Sequence, residues 1–199
     1  MKKIKLLLFA VSLIALMTIG ERFVFAATYT IDPVHSNIGF SIKHLVITNV
    51  KGRFADFNGE LVFDEEKKEL KKAAIQIKTI SIDTGIVKRD EHLRSSDFFD
   101  AAKYPTISFE LKKTTIKDGK TIFIGDLTMH GVTKEIQLTG EYLGAVKDPW
   151  GGQRIAFSAE GMLNRMDYGV KWNQTLETGG LLVGDSVKLL IEVECVLKK

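Results

Sequence analysis

A chain of 199 residues, 45% hydrophobic and 27% charged, has the material for one domain with a real core, and its single cysteine excludes an internal disulfide. The formal charge of +3 sits at the start, where Lys2, Lys3, Lys5 and Arg22 face only Glu21 within residues 1–26. The remainder is balanced, so no basic stripe is left to argue for nucleic acid or an anionic membrane surface.

The basic start is followed by an apolar run, Leu6 to Ile19, and by Val24-Phe25-Ala26, which suits a signal-peptidase site. The run is about fourteen residues, short of the roughly twenty that span a bilayer. This predicts an export signal over 1–26, cut after Ala26 or alternatively Ala27, and a domain over 27–199. No cysteine stands at the cut to carry a lipid anchor.

Tyr29-Thr30-Ile31-Asp32-Pro33 reads as an opening strand stopped by proline. Ile38, Phe40 and Ile42 then alternate with Gly39, Ser41 and Lys43. The parity slips between Phe54 and the set Phe57, Leu61, Phe63, which requires a bulge or bend near Ala55-Asp56. Asp64 to Glu69 is a solvated hairpin loop. Ala73, Ile75 and Ile77 resume the alternation.

Val87 to Phe99 breaks it with a charged, helix-like insert, at whose entry Asp83-Thr84 can cap and within which Asp90 and Arg94 are spaced for an ion pair. Ile107, Phe109 and Leu111 return to period two. Asp118-Gly119 and His130-Gly131 mark tight turns. Ile155, Phe157, Ala159, Gly161 and Leu163 form another inward set, Asn164 to Gly169 one helical turn, and Val187 to Leu197 a long last strand with Cys195 on its apolar face. This makes about eight to ten antiparallel strands in one domain, which a sandwich and a barrel satisfy equally. One helix among so many strands fits a barrel with a lid, and so a container for an apolar ligand.

The four histidines, His35, His44, His92 and His130, form no metal-spaced set, and no nucleophile elbow, phosphate loop or dinucleotide fingerprint is present. No catalytic residue, metal or cofactor is therefore expected. The apolar residues assigned to a ligand-lined interior are Ile38, Phe40, Ile42, Phe54, Phe57, Ile75, Ile77, Ile107, Phe109, Phe157, Leu189 and Ile191, with Phe98 and Trp172 at a mouth. Inward aromatics serve a packed core equally well, so composition alone does not separate core from cavity.

Several segments together carry a resemblance. They are Tyr29 to Phe40, Lys43-His44-Leu45, Lys51-Gly52-Arg53-Phe54 with Phe57-Asn58-Gly59, Arg89-Asp90-Glu91-His92-Leu93-Arg94, Asp97-Phe98-Phe99, Tyr104 to Phe109, Leu127 to Thr133, and Asn164-Arg165 to Gly169. In this order the chain resembles the YceI-like, polyisoprenoid-binding family. The resemblance implies an all-β, antiparallel lipocalin-like barrel of about eight strands with one or two short helices and an internal apolar tunnel. It implies noncovalent binding of an isoprenoid or other long-chain lipid, a periplasmic or secreted address and no catalysis, and it leaves a homodimer open. Rival readings are an exported hydrolase or isomerase using His92 or His44, and a ligand-free, stress-associated β-domain.

Overall fold

Period-two alternation through most of the chain produces long antiparallel strands. The computed structural model describes residues 26–175 and 179–199, and the expected export signal, save Ala26, lies outside the described residues. Eleven strands form one sheet: β1 (Ala27–Ile31), β2 (Asn37–His44), β3 (Thr48–Phe54), β4 (Phe57–Asp64), β5 (Glu69–Lys78), β6 (Ile82–Asp83), β7 (Thr106–Lys117), β8 (Lys120–Met129), β9 (Val132–Lys147), β10 (Gln153–Asn164) and β11 (Val183–Leu197). β1 pairs with both β4 and β11, so β1-β4-β5-β7-β8-β9-β10-β11 closes into an eight-stranded antiparallel barrel. Closure decides between the two architectures that alternation left open: the fold is a barrel, not a sandwich.

β2, β3 and β6 lengthen the wall at one end. The long β11 pairs with β2 through Val183–Glu192 and with β1 through Cys195–Leu197. β1 and β2 are thus two halves of one strand, parted where Pro33 has no N–H to donate. There Asp32 accepts from the Val34 backbone N–H at 3.1 Å and starts the 3-10 turn Pro33–His35.

β3 and β4 are parted at Ala55-Asp56, where the Ala55 N–H donates to Ser81 O at 3.0 Å and the Lys78 N–H donates to Asp56 O at 2.9 Å. This is the bend that the parity slip requires, and it buries Phe54, Phe57, Leu61 and Phe63 together.

β6 pairs with β3, at Arg53↔Asp83 and Phe54↔Ile82. The chain from β6 to β7 runs through the helix α1 (Val87–Arg94). Asp83 accepts from the Gly85 N–H at 2.9 Å, and Asp90 reaches back to the Thr84 N–H at 2.9 Å and to its hydroxyl at 2.5 Å. The Asp90–Arg94 pair expected from their spacing does not form. Asp90 is buried on Thr84, and Arg94 Nη2 donates to Ile82 O at 2.7 Å, tying the last turn of α1 to β6.

The far end of the barrel is filled. Phe63 lies 4.7 Å from Tyr142 and 5.3 Å from Phe157 between ring centroids, and Tyr142 and Phe157 are 5.5 Å apart. Tyr29, Phe63 and Cys195 are fully buried there, and burial pushes the Cys195 thiol up to about 12.

Candidate ligand-binding cavity

Toward the α1 end the inward side chains do not meet. They enclose a cavity of about 360 Å³, within the roughly 300–1,000 Å³ usual for small-molecule sites. β2 supplies Ile38, Phe40 and Ile42, β3 Phe54, β5 Ile75 and Ile77, β7 Ile107 and Phe109, β10 Phe157, and β11 Leu189 and Ile191, with Phe98 and Trp172 from the loops. Every residue assigned to the interior from the sequence lies on this wall except Phe57. Phe57 is buried opposite Ile77 but not on the wall. The bend that turns both phenylalanines inward also separates them: Phe54 faces Phe40 and Phe99, each 6.0 Å away, while Phe57 packs into the solid core.

The cavity stops at Leu61, Phe123, Phe157 and Val193, and Tyr29, Phe63, Tyr142 and Cys195 behind them do not reach it. An aromatic cluster is therefore its floor. Along the wall, Gly52 admits the Phe40 ring: a Cβ there would lie 2.4 Å from Phe40 Cζ and 2.8 Å from Thr84 Cγ2.

The other end is the mouth, where His92 and Trp172 are half-buried and Lys43 is exposed. His92 on α1, Phe98 after it and Trp172 form an aromatic triad with all three centroid separations at 5.0 Å. His92 Nε2 lies 2.9 Å from an Asp97 carboxylate oxygen, so its carboxylate partner is Asp97 rather than Asp90 or Glu91.

Trp172 is held by Arg165, which is 3% exposed. Arg165 donates to the carbonyls of Val170 at 2.6 Å, Gly184 at 2.8 Å and Trp172 at 2.9 Å. Burial pulls this guanidinium below its ordinary value. Arg165 therefore fastens residues 170–172 and the start of β11 to the turn Arg165–Tyr168.

A family model described as the YceI-like domain matches residues 29–195. The chain belongs to the YceI-like family. A UPF0312 protein of Vibrio cholerae serotype O1 is 40% identical over 167 residues, spanning 82% of this chain and 88% of that protein. The YceI protein of Campylobacter jejuni, solved by crystallography, is 39% identical with a TM-score of 0.68, covering 84% of this chain and 96% of that one. A polyisoprenoid binding domain from Saccharophagus degradans is 17% identical with a TM-score of 0.62, covering 87% and 99%, and shares the fold.

In this YceI-like barrel, residues that periodicity does not single out complete the wall. Leu93 and Phe99 come from the insert, and Lys43, His44, Thr84, Arg89, His92, Ser158 and Arg165 supply its polar positions. His35 belongs elsewhere. With Asp32 and Glu194 it places three ligand-type atoms within 4.8 Å of one another. Arg154 already occupies that cluster: it donates to Asp32 at 2.8 Å, to Asp148 at 2.9 Å and to Glu194. Its guanidinium lowers Asp32 to about 2. The three carboxylates around Arg154 thus pin the β1–β2 junction to β10 and β11, and the cation of this cluster is the arginine.

Among the described residues no helix is long and apolar enough to cross a membrane.

Proposed function

We propose that the chain is an exported, non-enzymatic binding protein that holds the tail of a polyisoprenoid or similar long-chain amphiphile inside the barrel, for transport, storage or sequestration. The observation that carries this reading is the apolar cavity of about 360 Å³, closed at one end by aromatics and opening beside α1. The family resemblance and the polyisoprenoid binding domain of the same fold support the ligand class. The tail contacts are Ile38, Phe40, Ile42, Phe54, Ile75, Ile77, Ile107, Phe109, Phe157, Leu189 and Ile191, with Phe98 and Trp172 at the entrance. Residues 27–199 are the lipid-binding domain, and residues 1–26 deliver it to the periplasm or outside the cell.

The binding force is burial of carbon, since an isoprenoid tail offers no hydrogen bonds. The apolar residues that would line the tail discriminate by length and girth rather than by pattern. The deciding experiment is mass spectrometry of organic extracts from protein purified natively from the periplasm. A stoichiometric long-chain lipid is the expected result. Protein that carries no hydrocarbon and takes none up would overturn the reading.

The enzymatic alternative keeps one observation, the His92–Asp97 pair at the mouth. Hydrolase or isomerase turnover lost in a folded His92→Ala variant would favour it.

A further inference from the structure

Among the described residues, three turns place positive φ at two successive positions. Two of them carry the residues that this conformation selects: Asp118-Gly119 at 52° and 73°, and His130-Gly131 at 52° and 75°. The third, between β2 and β3, is Leu45-Val46 at 51° and 66°, closed by the Ile47 N–H donating to His44 O at 3.3 Å. A β-branched residue is strained at positive φ. The side chains here also fill no core, since Val46 is 66% exposed and Ile47 82%. The turn thus opposes both the backbone preference and the hydrophobic effect, and nothing in the described fold offsets either cost. Strain of this kind marks a segment kept for function.

The tip stands at the cavity mouth. The Leu45 N–H donates to Leu182 O at 2.9 Å, and His44 at the base of the turn pairs with Val183. Asn173 clasps Val183 in turn, donating from Nδ2 to its O at 2.7 Å and accepting its N–H at 3.1 Å. His44, Leu182 and Val183 are wall residues, so the exposed aliphatics continue the apolar lining outward, and the exposed Leu181 joins them. Lys43 and Lys51 lie below the tip on one face of the β2–β3 ribbon. Both are exposed, and neither is in an ion pair among the described residues.

Aliphatic side chains ahead of two free ammonium groups complement a bilayer surface, which offers hydrocarbon beneath a layer of anionic phosphates. Resting on the lipid-binding reading, we propose that residues 45–47, with Leu181 beside them, insert into a lipid bilayer and seat the cavity mouth on the membrane. A tail then passes between bilayer and barrel without crossing water.

The test is flotation of the exported protein with vesicles of phosphatidylethanolamine and phosphatidylglycerol free of isoprenoid, so that docking is read without loading. The double variant Leu45→Asn/Val46→Gly supplies the pair that the turn favours. It should raise Tm, because strain is relieved, and weaken vesicle binding by about 10–100-fold, because two aliphatic side chains are gone. Lys43→Gln/Lys51→Gln should weaken binding by about 10–30-fold, and only where phosphatidylglycerol is present. Trp150→Ser, at the exposed turn between β9 and β10, should bind as the parent does, since that turn lies at the floor end.

A parent protein that does not float, or a Leu45→Asn/Val46→Gly variant that floats equally well, overturns the docking and leaves the lipid cavity standing. A lowered Tm in that variant would refute the strain and give the pair a structural role. Vesicle binding lost with the tip in a protein that takes up no lipid would sustain the bilayer contact and remove the cavity reading. A parent dimer that the same variant splits, with no vesicle binding, would make the tip an interface between copies and refute the bilayer.

Discussion

The aromatic floor sets a limit on tail length that a ligand series can measure. The β11 wall bounds the cavity from Val183 to Val193, about 33 Å along the strand at roughly 3.3 Å per residue and about 25 Å along the axis at a strand tilt of about 40°. An extended isoprene unit advances about 5 Å, from four bonds of roughly 1.5 Å, so the wall runs beside about five units. The volume is the tighter bound. At roughly 30 Å³ for a water-sized group, 360 Å³ takes about a dozen carbons, or two to three units. Each enclosed unit contributes about 4 kcal/mol gross, from roughly 0.8 per carbon, reduced by the ordering of the chain. Competition against an environment-sensitive fluorescent lipid, with alcohols of two, three, four and nine isoprene units, should show affinity rising at least about tenfold from two to three units and levelling between three and five. Phe157→Ala, which removes a floor ring at a stability cost of about 3–5 kcal/mol, should move the plateau to longer tails. Affinity that climbs steadily to nine units in the parent protein would refute the floor, because the tail would then have to pass through Phe63, Tyr142 and Phe157.

Three further outcomes follow from the geometry. Phe109→Asp places an unpaired carboxylate on the apolar wall, at several kcal/mol, and should reduce lipid uptake by about 100-fold or more, while Phe109→Leu retains it; a folded aspartate variant with the parent's lipid load would remove Phe109 from the site. Arg165→Met leaves the carbonyls of Val170, Trp172 and Gly184 unpaired, at about 3 kcal/mol or more. It should lower Tm by roughly 10 °C and speed hydrogen exchange first at residues 170–174; uniform loss of protection would mean that Arg165 supports the fold generally and not this segment. Acid sensitivity should run through Asp32, whose folded pKa is lowered from 3.8 to about 2 by Arg154. The depressed value stabilises the fold above pH 4, and the contribution disappears as pH falls from about 4 to 2. Urea unfolding of Arg154→Met should therefore show lower stability at pH 7 and a shallower acid slope, and slopes that match the parent's would show that Arg154 does not hold the Asp32 carboxylate in its charged form.

How far the site could be read in advance follows from what parity encodes. In β2, β7 and β11 alternate residues face the interior, so Ile38, Phe40, Ile107, Phe109, Leu189 and Ile191 declare their side of the sheet within a few positions. The slip after Phe54 even exposed the bend at Ala55-Asp56. Facing inward is not the same as facing a void, however. Phe57, Phe63 and Phe109 have equal claims by parity. Only Phe109 meets open space, because Phe63 meets Tyr142 and Phe157 arriving from the opposite wall. That outcome depends on closure register between strands about eighty or more positions apart, which no local window contains. The polar mouth was hidden for the same reason. Lys43 and Arg89 lie on two distant segments in a chain whose charge balances after residue 26, and they meet on one wall only when β2 and α1 are brought to one end of the barrel. Spacing along α1 misled where burial overruled it: Asp90 and Arg94 are one turn apart, yet each satisfies backbone or hydroxyl groups near β6, since a buried unpaired N–H costs more than a solvated ion pair returns. The specificity of this barrel thus resides in long-range closure, and the local alternation supplies the greasy lining on which that closure acts.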